Sequence, residues 1–119
     1  MTLLVTCSGI SNTGRLTTQA AQYLLLKDSG RFTWVPVQRS PEVLRNLISD
    51  EAGALVLNGC SDCCATKKLR EHGLYQGTEL KVTDLGILKK GMAEVQYDEI
   101  EIVVSAIREI LQKERRNDS

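Results

Sequence analysis

Apolar residues fall in short blocks separated by polar loops, and the blocks alternate between two periodicities. The first, Leu3-Leu4-Val5, is short and continuous, as expected of a strand covered on both faces. It runs into Cys7 and a polar loop, Ser8-Gly9-Ile10-Ser11-Asn12-Thr13-Gly14. Leu16, Ala20, Tyr23, Leu24 and Lys27 then fall at helical spacing, with Gly30 as the expected stop. Phe32-Thr33-Trp34-Val35 is β-branched and aromatic and predicts a second strand, which Pro36 ends at a sheet edge or margin. Ser40-Pro41 pairs a capping hydroxyl with a first-turn proline. Val43, Leu44, Leu47 and Ile48 form that helix's stripe, and Gly53 is expected to close it. A third strand, Ala54-Leu55-Val56-Leu57, leads into Asn58-Gly59-Cys60. Ser61 or Asp62 is expected to cap the next helix, with Cys63 and Cys64 in its first turn and Gly73 at its end. Glu79-Leu80-Lys81-Val82-Thr83 alternates as a fourth strand. Asp98 with Glu101 resembles a capping box that opens a long amphipathic helix striped by Ile100, Val103, Val104, Ile107, Ile110 and Leu111. The charged tail over 113–119 is expected to fray.

Repeated strand–helix alternation predicts one α/β domain over 1–119. The architecture expected is a three-layer, Rossmann-like sandwich, with a mostly parallel sheet of roughly four strands and helices on both faces. Ligands in such folds bind beyond the carboxyl ends of the strands, where the winding reverses. The first and third strands each run into a cysteine loop. If they are neighbours, Cys7 meets the Cys60–Cys64 cluster at one crevice.

Composition narrows the function. The chain of 119 residues and 13.2 kDa is long enough for its own core, burying roughly 65% of its unfolded surface. Fifteen basic residues balance fifteen acidic ones, for net charge zero and pI near 6.6. That excludes a general nucleic-acid binder, whose affinity needs a basic surface. No apolar run nears the roughly 18 residues of a membrane span, and no signal-peptide pattern opens the chain. The cytoplasm is therefore the expected address. Cys7, Cys60, Cys63 and Cys64 are too few and too bunched for a secreted disulfide framework, so their purpose is the question the composition poses.

Three chemistries suit these thiols. A strand-to-helix turn favours thiolates, because helix N-terminal amides lower a thiol's pKa. In the first reading, Cys60-x2-Cys63 grips a tetrahedral zinc, Cys7 joins from across the crevice, and Cys64 is the fourth candidate. Adjacent helical residues point about 100° apart, so Cys63 and Cys64 rarely reach one ion together. In the second, Cys60-Ser61-Asp62-Cys63 is a redox C-x-x-C, although the aromatic and proline that usually accompany one are missing. In the third, Cys7 or Cys60 is a nucleophile handling phosphate, arsenate or sulfur, with Arg15 as an anion clamp. The Cys7-x7-Arg15 spacing is longer than a phosphatase loop's. The plainer alternatives are a solvated Arg15, a His72 that serves the end of its helix, a core Trp34, and solvated Lys67-Lys68 and Lys89-Lys90 pairs. A small anion or a protein partner is compatible with the neutral charge, and nothing in the pattern fixes oligomeric state.

Three blocks resemble the DGC-domain family: Cys7-Ser8-Gly9 with Thr13-Gly14, Asn58-Gly59-Cys60 with Cys64-Ala65 and Lys67-Lys68, and Thr83-Asp84-Leu85-Gly86-Ile87. The resemblance implies a small prokaryotic cytosolic domain that binds zinc through cysteines and has no established activity. Residue by residue it carries over Cys7, Cys60 and Cys64. The chain departs from the family pattern at Asn58, where the family has aspartate. It also has Val35-Pro36-Val37-Gln38 in place of a cysteine near the second strand's end, and an additional Cys63.

Overall fold

The computed structural model describes residues 2–50 and 53–118, with side chains as far as 114. Its elements are β1 (Thr2–Thr6), α1 (Asn12–Lys27), β2 (Phe32–Pro36), α2 (Pro41–Asp50), β3 (Gly53–Asn58), α3 (Cys64–Glu71), β4 (Glu79–Lys81), a 3-10 turn (Val82–Leu85) and α4 (Tyr97–Asp118). The strands form one all-parallel sheet in the order β2-β1-β3-β4.

Alternation along the strands divides the core into two layers. Leu4, Leu55 and Leu57 face α1 and α4, meeting Leu16, Ala20, Leu24, Val103, Val104 and Ile107. Leu3, Val5 and Val56 face α2 and α3, meeting Leu44, Ile48, Ala65 and Leu69. Each strand residue therefore has an apolar partner on its own side, which is why the runs in β1 and β3 read as continuous rather than alternating. The three-layer α/β expectation holds, and the sheet is wholly parallel.

Local signals differ in how well they mark the element ends. Ser40 caps α2 as expected, its Oγ accepting from Val43 N at 3.3 Å. Gly53 does not close that helix; it starts β3 and pairs with Thr2. Residues 51 and 52, between them, lie outside those described. The fourth strand stops at Lys81, because Val82 turns into the 3-10 segment, where it is fully buried. The cap of α4 sits two residues before the Asp98 site: Gln96 N donates to Glu99 Oε1 at 2.9 Å, making a glutamate-to-backbone cap from the neighbouring pair. Helix α4 continues through Asp118, and the side chains of 115–119, where fraying is expected, lie outside the described residues. No helix among the described residues is long and apolar enough to cross a membrane.

Candidate functional site: a thiol crevice at the carboxyl edge of the sheet

β1 and β3 are neighbours in register, Thr6 opposite Leu57, so their following loops leave the sheet side by side. The ladder runs one bond further, Cys7 N donating to Leu57 O at 2.9 Å. Both loops then meet the first turn of α1. A Cβ on Gly14 would lie 2.7 Å from Gly9 Cα and Gly9 O, and one on Gly59 would lie 2.9 Å from Gly14 N. Only glycine allows three backbones to approach so closely. This contact makes one crevice of the two cysteine loops.

The Cys7 loop is held by hydroxyls. Ser8 adopts a left-handed φ of 49°, which costs a non-glycine residue free energy that its surroundings must offset. Its N–H donates to Thr17 Oγ1 at 3.1 Å, and its Oγ bridges Thr6 Oγ1 and Thr18 Oγ1 at 2.5 and 2.6 Å. Trp34 Nε1 donates to Thr6 Oγ1 at 2.9 Å, and Gln38 Nε2 donates to Cys7 O at 2.5 Å.

The Cys60 loop is built on Asn58, which is 0% exposed. Asn58 Oδ1 accepts from Thr66 N at 3.2 Å; Nδ2 donates to Thr66 Oγ1 at 2.8 Å and to Glu79 Oε2 at 3.1 Å. One amide thus ties β3 to both α3 and β4. Beyond it, Cys63 N donates to Cys60 O at 3.0 Å in a tight turn. Helix α3 begins at Cys64, with Cys63 as its N-cap. Neither Ser61 nor Asp62 caps it, and Cys63 is outside the first turn. Cys63 has a left-handed φ of 49° and makes no side-chain cap bond. It therefore leaves in a different direction from Cys64.

Cys7, Cys60 and Cys63 are half-buried and Cys64 is exposed, all as free thiols. The Cys64 thiol is pushed above its ordinary pKa by lost hydration first, then by Cys7, Asp62 and Cys60, with Lys67 opposing. That reverses, at Cys64, the lowering expected of a helix N-terminus. Both Cys7 and Cys60 contribute to that rise, which places Cys64 at the same crevice as each of them. Among the described residues, no three His, Cys, Asp or Glu side chains are arranged to hold a metal ion. The donors that gather here are nonetheless soft thiols from two facing loops, which in kind suit a soft ion.

Arg15, the candidate anion clamp, has one guanidinium nitrogen committed to the chain's own backbone. Its Nη2 donates to the carbonyls of Met92, at 3.1 Å, and Ala93, so it fastens the loop before α4. His72 caps α3 at the end away from Cys64. Lys89 is where the spacing misleads most: its Nζ lies 3.7 Å from Cys60 Sγ and 3.7 Å from Asp62 Oδ2. The sequence separation hides it, but β4 is parallel to β3, so the segment after β4 must also emerge at this edge.

The DGC domain family model matches residues 3–107, a span containing both loops, all four cysteines and Lys89. The chain belongs to the DGC domain family. No curated protein and no solved structure gives a match. Within this DGC domain, Asn58 faces Glu79, and that neighbour gives a physical reason for an amide at this position. An amide donates to that carboxylate, whereas an aspartate would set two carboxylates against each other.

Proposed function

We propose that this DGC domain binds a soft metal ion, zinc, through the thiolates of Cys7, Cys60 and Cys64, with Cys63 as an accessory donor. The observation that carries the reading is the pairing of β1 with β3, which brings the Cys7 loop and the Cys60–Cys64 segment out side by side at one edge of the sheet. Bound there, zinc would cross-link the loops and, with three protein donors, keep a position open for a Lewis-acid role. The chain's own part is to hold the donors. The hydroxyl chain around Ser8 fixes Cys7, and Asn58 fixes the base of the Cys60 loop.

The test is metal analysis of protein purified anaerobically without a histidine tag. About one equivalent of zinc per chain is expected. Serine at Cys7, Cys60 or Cys64 should each weaken binding by more than the roughly tenfold that a supporting residue costs. Less than about a tenth of an equivalent of any transition metal, with no zinc uptake by metal-free protein, overturns the proposal.

A second reading, thiol chemistry with Cys60 as nucleophile, has the Lys89 contact in its favour. It requires one thiol in metal-free protein that reacts faster than the other three at neutral pH. Uniform alkylation rates would remove it.

A further inference from the structure

Lys89 is an exposed lysine whose backbone is held by a buried side chain. Asn12, 2% exposed, donates Nδ2 to Leu88 O at 2.8 Å and accepts Lys90 N on Oδ1 at 2.6 Å. The Asn12 N–H donates to Gly91 O at 2.7 Å. Both chain neighbours of Lys89 are therefore clamped by one amide at the start of α1, and Arg15 secures Met92 and Ala93 beyond. A merely solvated lysine has no need of such support. Here the clamp presents an ammonium to Cys60 from a loop 29 residues away in sequence.

The charges around that sulfur form a triangle. Lys89 Nζ is 3.7 Å from Cys60 Sγ, Asp62 Oδ2 is 3.6 Å from it, and the two charged groups are 3.7 Å apart. The Asp62 side chain is 68% exposed and sits on the turn before left-handed Cys63, whereas Lys89, 47% exposed, is on the clamped loop. A negatively charged group reaching Cys60 can replace Asp62 as the partner of Lys89. Lys67, which acts on the Cys64 thiol, adds a second positive charge to the crevice.

We propose that Lys89 is a specificity-determining residue of the thiol crevice, pairing with an anionic group on the molecule that the Cys60 sulfur meets. The ligand class is a small molecule that carries a carboxylate or another oxyanion beside the atom the sulfur meets. The inference rests on the crevice being a functional thiol site and does not depend on the metal.

The experiment compares alkylation of Cys60 by iodoacetate and by iodoacetamide in metal-free protein, read by mass spectrometry of the Cys60 peptide. Both reagents require the thiolate, so their rate ratio isolates the effect of reagent charge. K89Q is expected to lower the iodoacetate/iodoacetamide ratio about two- to fivefold, the size of one half-exposed charge. K89R should keep the wild-type ratio, and D62N should raise it by removing the competing carboxylate. Equal ratios in wild type and K89Q, or a lowered ratio in D62N, overturn the proposal. Because no metal is present, a failure to bind zinc leaves this outcome untouched, and the reverse also holds.

Discussion

The two cysteine loops leave adjacent parallel strands, yet they are built on different principles. The Cys7 loop is supported along its length: a strand bond at Cys7, a chain of hydroxyls at Ser8, and Gln38 on the Cys7 carbonyl. The Cys60 loop is supported chiefly at its base, where Asn58 is saturated with partners and Gly59 is pressed on α1, with one backbone bond across its turn and Lys89 against its exposed tip. Its tip, Asp62 and Cys63, has an exposed carboxylate and an uncapped left-handed residue. One loop is braced by buried hydroxyls and the other by a buried amide at its root, so substitutions should reach the two sides of the crevice by different routes.

The largest expected effect comes from prising the Cys7 loop off the first turn of α1. Gly14→Ala places a methyl 2.7 Å from backbone atoms of Gly9, where no rotamer offers escape. Urea denaturation should show a loss of about 3 kcal/mol. A loss within error would mean that the contact seating the Cys7 loop on α1 is slack.

The next effect attacks the base of the Cys60 loop. Asn58→Asp turns a donor on Glu79 into a repulsion, at a cost of about 2 kcal/mol at neutral pH. Glu79→Gln in the same chain should recover about half of that, giving a coupling of about 1 kcal/mol in a double-mutant cycle. Additive losses would show that Glu79 is not the reason for asparagine.

The smallest effect has the opposite sign. Cys63→Gly relieves the left-handed strain at the tip and should stabilise the metal-free protein by about 1 kcal/mol. Zinc stoichiometry should stay the same. If the variant loses its metal, Cys63 is an essential donor and the tip is not free.

Much of this was readable in the residues, for identifiable reasons. The continuous apolar runs Leu3-Leu4-Val5 and Ala54-Leu55-Val56-Leu57 mark central strands, and two central strands of a small parallel sheet are natural neighbours. Their adjacency is what sets the Cys7 loop beside the Cys60 loop. The start of α3 was misjudged because Ser61 and Asp62 are good caps by type, while the Cys60–Cys63 turn carries the chain past them before the helix begins. Asn12, Glu79 and Lys89 were missed for a different reason. Each acts on a residue distant in sequence, and none stands in a local pattern: Asn12 reaches the 88–91 segment, Glu79 reaches Asn58, and Lys89 reaches Cys60. The topological rule could have placed Lys89 at the carboxyl edge; it could not have chosen it over Lys90.

The bond from Trp34 to Thr6 also has a practical meaning. Trp34 is the chain's single tryptophan, and its indole N–H ends a relay that passes through Thr6 to Ser8, the residue after Cys7. The protein thus carries its own fluorophore, coupled to the Cys7 side of the crevice by two hydrogen bonds. Zinc added to the metal-free protein is therefore expected to change the ultraviolet emission of the unlabelled molecule, with no dye to compete for its thiols.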